Sequence, residues 1–318
     1  TNPRSFQEMT NVTAVLEFRL LGFSSSPHYQ ILLFTVFLVI YFLTIMGNII
    51  IISVVTLEPQ LHSPMYKFLR NLSFLEICYT TTIVPKMLAN LVSERKTISF
   101  SECMAQLYCF VFLGATECYL LAAMAYDRFL AICDPLQYIT SMTVEFYTCL
   151  TVGSWVTGVF TGLLPCLMIS RLHFCSYNLI DHFFCDIPPL LMLSCSDTTV
   201  TEVVIFILSL MVLSSCFLLT LVSYLFIILS ILKIPSASGR RKTFSTCSSH
   251  LMVVTIYYCT MISMYVRPSS SLPSQLNKGI SVLYTVITPL LNPVIYSLRN
   301  KGFKDALGRI VARYHQIH

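Results

Sequence analysis

Seven stretches of this chain are long and apolar enough to cross a bilayer. They run roughly over 28–55, 65–91, 101–132, 144–168, 201–232, 243–266 and 275–297. A spanning helix needs about 20 mostly apolar residues. Hydrocarbon offers a backbone no hydrogen-bond partners, so each stretch must close its own bonds as a helix. Only 11% of residues are charged, against about 25% in soluble domains. The first run is too long for a signal-peptide core and has no A-x-A-like site after it, so it is expected to remain a span. The expected fold is an all-α membrane protein, a seven-transmembrane helix bundle. Residues 1–27 form an N-terminal segment, 28–297 the bundle and 298–318 a tail. No internal repeat or low-complexity linker marks a second domain.

Lysine and arginine in short loops set orientation. The side holding the 1–2, 3–4 and 5–6 loops and the C-terminal tail carries twelve bases and five acids; the other side carries eight of each. The basic side is therefore expected in the cytoplasm and the N-terminus outside. Asn11-Val12-Thr13 is a glycosylation acceptor on that outer side. Four of the thirteen cysteines lie on the outer side, Cys103 at the top of span 3 and Cys175, Cys185 and Cys195 beyond the spans. Two bridges are expected there, and four cysteines allow three pairings. Three of the four lie in the long loop at about 169–200, which is large enough to cover the mouth of the bundle.

Ionised groups near hydrocarbon are costly and mark function. Asp127 and Arg128 end the third run, roughly 37 Å along the helix from Cys103, at the cytoplasmic rim. Glu76 and Glu117 lie inside spans 2 and 3 at a similar depth. Two carboxylates there need a proton or a cation between them. Pro293 interrupts the backbone bonds of span 7 and allows a kink. Phe303, Leu307, Ile310 and Val311 recur at helical spacing, giving a short amphipathic helix on the membrane surface. Arg240, Arg241, Lys242, Lys301, Lys304 and Arg309 face the same side and would attract anionic headgroups.

The motifs "MAYDRFLAICDPLQY", "SPMYKFLRNLSFLEICYTT", "KTFSTCSSHLMVV" and "PLLNPVIYSLRN", with Gly47-Asn48 and "LLGF", occur in order along nearly the whole chain. Together they resemble the odorant receptors, rhodopsin-like (class A) G-protein-coupled receptors. Phe129, Asp134, Glu76 and Cys259 depart from the usual residues; Asp134 places a negative charge on the G-protein face.

The resemblance implies an extracellular N-terminus, a cytoplasmic helix 8, and disulfides Cys103–Cys185 and Cys175–Cys195. It implies a latch of Asp127 and Arg128 beside Tyr126, with Asn292, Pro293 and Tyr296 rearranging on activation and Arg240 and Lys242 on the coupling face. It implies an allosteric Na⁺ site at Glu76, Glu117 and Asn292, near Asn48, and no required cofactor. For the ligand it implies a pocket of Phe110, Val111, Gly114 and Ala115 on span 3, Phe206 and Ser209 on span 5, Tyr258, Met261, Ile262 and Tyr265 on span 6, and Thr285 on span 7. That lining carries no fixed charge, so a small, neutral, mostly apolar volatile molecule fits it. The implied output is a stimulatory, Gs/Golf-type heterotrimeric G protein raising cAMP, in the plasma membrane of olfactory cilia.

Other classes fit worse. A class A receptor for another lipophilic ligand is the nearest alternative. Transporters commonly show two related halves, and here the span number is odd and no halves match. Ser249-His250 hints at hydrolysis, but neither a nucleophile elbow nor H-E-x-x-H is present.

Overall fold

The computed structural model describes residues 16–23, 26–174, 178–265, 274–299 and 301–317. Side chains at 242, 245, 246, 249, 264, 265, 274, 296–299, 301 and 314–317 lie outside that description. The spans are helices α1 (Pro27–Leu57), α2 (Pro64–Val92), α3 (Phe100–Cys133), α5 (Val144–Ser170), α7 (Thr199–Leu232) and α8 (Ala237–Tyr265). The seventh is composite: α9 (Ser274–Val282), a π-helical turn (Leu283–Ile287) and α10 (Thr288–Arg299). Five helices among the described residues cross a membrane on length and apolarity alone. The other two spans, α2 and α8, are each 29 residues long. They are less apolar: α2 contains Lys67, Arg70, Glu76 and Lys86, and α8 opens on a polar stretch.

α3 is the axis of the bundle, with most of its inner residues buried. It starts on a capping box: Ser99 accepts from the Glu102 amide while Glu102 accepts from the Ser99 amide. α5 lies flush against it because of two glycines. A Cβ on Gly158 would stand 2.0 Å from Thr116 Oγ1, and one on Gly162 would stand 2.9 Å from the Phe112 nitrogen. Gly47 does the same for α1 and α10, where a Cβ would meet Pro293 Cβ at 3.1 Å. Small residues allow such close helix approach where the lipid supplies no hydrophobic drive. Towards lipid, α1 and α7 are openly apolar, with Phe42 62% and Met211 58% exposed.

The two ends of the bundle differ. At one end, strand β1 (Glu17–Leu20) pairs antiparallel with β2 (Thr97–Ser99) and parallel with β3 (Leu179–Ile180). This sheet ties the N-terminal segment to the long loop, which also carries the short helix α6 (Ile187–Met192). At the other end are α4 (Pro135–Ser141), capped by Asp134 through the Gln137 amide, and α11 (Lys301–Ile317). α11 buries Phe303 and Ala306, while Leu307 and Val311 stay 36% and 47% exposed on its outer side.

Candidate functional site

The long loop is fastened over the sheet end of the bundle. Cys103 on α3 and Cys185 form a disulfide. Gln106 accepts from the Cys185 amide at 2.9 Å and donates to the Thr82 carbonyl at 3.0 Å, stitching loop, α3 and α2 together. Asp181 pairs with the buried Lys278 Nζ at 2.6 Å, and His182 Nε2 meets Ser281 Oγ at 3.2 Å, both on α9. Phe184, fully buried, sets its ring edge-to-face on Phe110 at 5.1 Å. Burial, reinforced by the Lys278 ammonium, pushes His182 down to about 3, so it is neutral at physiological pH. Burial raises Asp186 to about 6, against the opposing pull of the Ile187 amide. Cys195 is also disulfide-bonded. Cys175, expected as its partner, and the acceptor Asn11 lie outside the described residues.

Beneath this lid is a cavity of about 570 Å³ including its open rim, between α3, α5, α7 and α8. Phe110, Val111, Gly114, Ala115, Ser209 and Met261 line it, as expected from the sequence. Other expected residues stand elsewhere. Phe206 and Ile262 face outward, 48% and 41% exposed, because the helical phase of α7 turns Ile205, Leu208 and Val212 inward instead and that of α8 turns Tyr257 and Met261 inward. Tyr258 is buried beside the cavity, with its hydroxyl 3.7 Å from Cys118 Sγ and its ring against Phe217. Its neighbour Tyr257 reaches the wall and donates to the Gly114 carbonyl at 2.7 Å. Thr285 is buried in the π-helical turn and donates to the Ser281 carbonyl. The Tyr265 side chain lies outside the described residues. Thr161 and Pro165 of α5, Cys118 and the loop residue Ile187 also line the cavity. The heptad-like phase of α5 carries a signal for the first two. Ile187 has none, since nothing local reports where a loop folds back.

At mid-bundle, Asn292 donates an amide hydrogen bond to Glu76 Oε1. Glu76 and Glu117 are both buried. Three buried oxygens nearby in the fold, Asn48 Oδ1, Glu76 Oε2 and Asn292 Oδ1, lack hydrogen-bond partners among the described residues. An all-oxygen donor set with such orphans fits a hard cation better than a soft metal.

At the far end, Arg128 donates to Asp127 Oδ2 from Nη2 at 2.6 Å and from Nε at 3.0 Å. Asp127 is fully buried and accepts a second bond at Oδ1 from Tyr138. Tyr126 packs between Phe129 and Phe146. Tyr224 of α7 bonds His250 of α8. Arg240 reaches the Ile234 carbonyl at 3.1 Å. Pro293 interrupts α10; the side chains of Tyr296 and Lys242 lie outside the described residues. The end of the bundle that holds this ion pair is the one bearing α11.

Comparison with known proteins agrees with this architecture. A family model described as olfactory receptor matches residues 37–314. The chain is 63% identical over 306 residues to human Olfactory receptor 11L1, covering 96% of this chain and 95% of that protein. It is 50% identical to human Olfactory receptor 6N1 over 95% and 97% of the two chains. It is 47% identical to mouse Olfactory receptor 5M5 over 95% of each.

Proposed function

The chain belongs to the olfactory receptor family, multi-pass membrane receptors rather than enzymes, and from that premise we propose which odorants it takes and how it reports them. The ligand is a small, neutral, mostly apolar volatile held in the cavity between α3, α5, α7 and α8. One observation carries this: none of the described residues lining the cavity is ionised. An ammonium or carboxylate ligand would lose its hydration there without a counter-charge. The sheet end faces outside the cell, the α11 end faces the cytoplasm, and the receptor works in the ciliary membrane through a Gs/Golf-type protein that raises cAMP. Binding shifts a two-state bundle in which the Asp127–Arg128 pair is closed at rest. Na⁺ held by Glu76, Glu117, Asn292 and Asn48 would favour that resting state.

The test is an odorant panel on cells expressing the chain, read by cAMP, beside the variants Arg128→Ala and Gly114→Leu. A neutral volatile should raise cAMP, Arg128→Ala should abolish the response, and Gly114→Leu should raise the effective concentration at least tenfold by filling the cavity. Responses confined to amines or carboxylic acids, or untouched by Gly114→Leu, would overturn the reading.

A further inference from the structure

We propose that the cavity is entered from the bilayer, through the seam between α5 and α7, and not through its outer mouth. The inference rests on the reading of this cavity as the odorant site.

Exposure identifies the open side. Six lining residues remain partly exposed: Val111, Thr161, Leu208, Ser209, Val212 and Leu213. They belong to α5, α7 and the face of α3 between them. The described lining residues from the lid and from α8 are buried: Ile187 is 5% exposed, Tyr257 2% and Met261 6%. Over the outer mouth a disulfide, an ion pair on a buried lysine and two hydrogen-bonded links fasten the lid to α2, α3 and α9. The neighbouring seam, between α3 and α5, is sealed by the contact at Gly158 and Gly162. Around the remaining gap the outward side chains are Leu164, Leu167, Ile207 and Met211, 44–58% exposed, all of them compatible with hydrocarbon.

Entry by this route selects ligands before they bind. A molecule must first partition into hydrocarbon, so permanently charged or strongly hydrated compounds are excluded at the portal as well as in the cavity. Each added methylene raises membrane partition by about fourfold. Ligands are thereby concentrated at the portal in proportion to their lipophilicity.

The test uses the full receptor in phospholipid nanodiscs, with a reporter thiol on the cavity wall. Gly114→Cys, combined with Cys118→Ala to remove the native thiol of the lining, places it there; a Cβ at position 114 meets only Met261 Cε, at 3.8 Å. The probes are N-cyclohexylmaleimide, neutral and lipophilic, and a trimethylammonium methanethiosulfonate, permanently charged. Labelling of residue 114 is followed by peptide mass. The maleimide should react and the charged reagent should not. Thr161→Trp or Leu208→Trp at the seam should slow the maleimide at least tenfold. Lys278→Met, which unfastens the lid, should leave its rate within twofold. Acceleration by Lys278→Met with no effect of either tryptophan would overturn the proposal. Should the tryptophan variants not fold, a series of N-alkyl maleimides on the otherwise unaltered portal decides: rates rising with chain length support bilayer entry, and equal rates overturn it. An odorant response untouched by Gly114→Leu would instead remove the ligand site while leaving the labelling result standing.

Discussion

Tyr138 on α4 donates its phenolic proton to Oδ1 of Asp127 at 3.1 Å, while Arg128 occupies Oδ2 of the same carboxylate. Both oxygens of a fully buried acid are therefore committed, one to the neighbouring cation and one to the adjoining loop helix. Burial, and then the charge of Asp127, push the Tyr138 phenol above its ordinary value, so it stays a donor. Separation of Arg128 from Asp127 is thus opposed by two restraints on one side chain.

Removing the bond from Tyr138 should loosen the proposed resting state without touching Arg128. A hydrogen bond to a charged group contributes about 1.5–3 kcal/mol. Tyr138→Phe should raise basal cAMP by about tenfold or more, and Asp127→Asn further still, at matched surface expression. Basal activity in Tyr138→Phe at or below that of the parent chain would show that α4 plays no part in the lock.

The lid should respond to pH through two groups acting in opposite directions. The native pKa of His182 is depressed from 6.5 to about 3, so its contribution to stability is present above pH 6.5 and lost as pH falls towards 3. That of Asp186 is raised from 3.8 to about 6, so its contribution is present below 3.8 and lost as pH rises through 6. Between pH 6 and 4 the two slopes, each about 1.4 kcal/mol per pH unit at most, oppose one another. Thermal unfolding in nanodiscs should therefore vary little across that window. His182→Gln should become more stable on acidification from pH 6 to 4, and Asp186→Asn less stable from 6.5 to 4. Parallel curves for the two variants would remove these groups as the cause.

Buried Glu58, at the turn after α1, receives Arg309 at 3.3 Å and Arg313 at 3.8 Å from α11. Half-exposed arginines on a buried carboxylate hold α11 in register against the bundle, beside Phe303. Breaking a buried charge pair costs more than an exposed one contributes. Glu58→Gln should speed amide exchange across residues 301–313, and Glu58→Arg with Arg309→Glu should restore part of the protection. Exchange unchanged in Glu58→Gln would leave Phe303 and Ala306 as the whole anchor.

How far the sequence alone reaches is clear from such pairs. The spans are legible because lipid demands continuous apolar helices, and the Asp127–Arg128 pairing because ionised groups at a span end are costly without a partner. Tyr138 lies in the same motif, yet only the turn made by α4 brings it to Asp127. The small residues of α3 mark its pocket face, whereas on α7 Phe206 and Ile205 differ by one position and about 100° of helix. In a span apolar all round, composition does not fix that phase. The strand Glu17–Leu20 is invisible for a related reason: four residues acquire their pairing from Thr97–Ser99 and Leu179–Ile180, far away in the chain.

Sodium offers a test at mid-bundle. If the orphaned oxygens of Asn48, Glu76 and Asn292 with Glu117 hold the ion, replacing NaCl by choline chloride should raise agonist potency several-fold in the parent chain. Glu117→Gln should blunt that change. Identical salt shifts in both proteins would remove the site.

The seam between α3 and α5 gives the sharpest stability prediction. At Gly158 an added methyl carbon would stand 2.0 Å from Thr116 Oγ1 and 3.0 Å from the Phe112 carbonyl oxygen. Thr116 already donates to that carbonyl at 2.9 Å, so its hydroxyl has little room to turn away. Overpacking of this kind costs about 1–3 kcal/mol, and the helices must separate to relieve it. Gly153 is the matched control on the same helix, because a methyl added there would meet nothing within 4 Å. Gly158→Ala should lower the unfolding temperature of the detergent-solubilised receptor by several degrees and reduce surface delivery, while Gly153→Ala should leave both unchanged or slightly improved by helix propensity. Equal behaviour of the two alanines would mean that α5 does not lie as close to α3 as the glycines allow, and the seam that forces entry between α5 and α7 would no longer be closed.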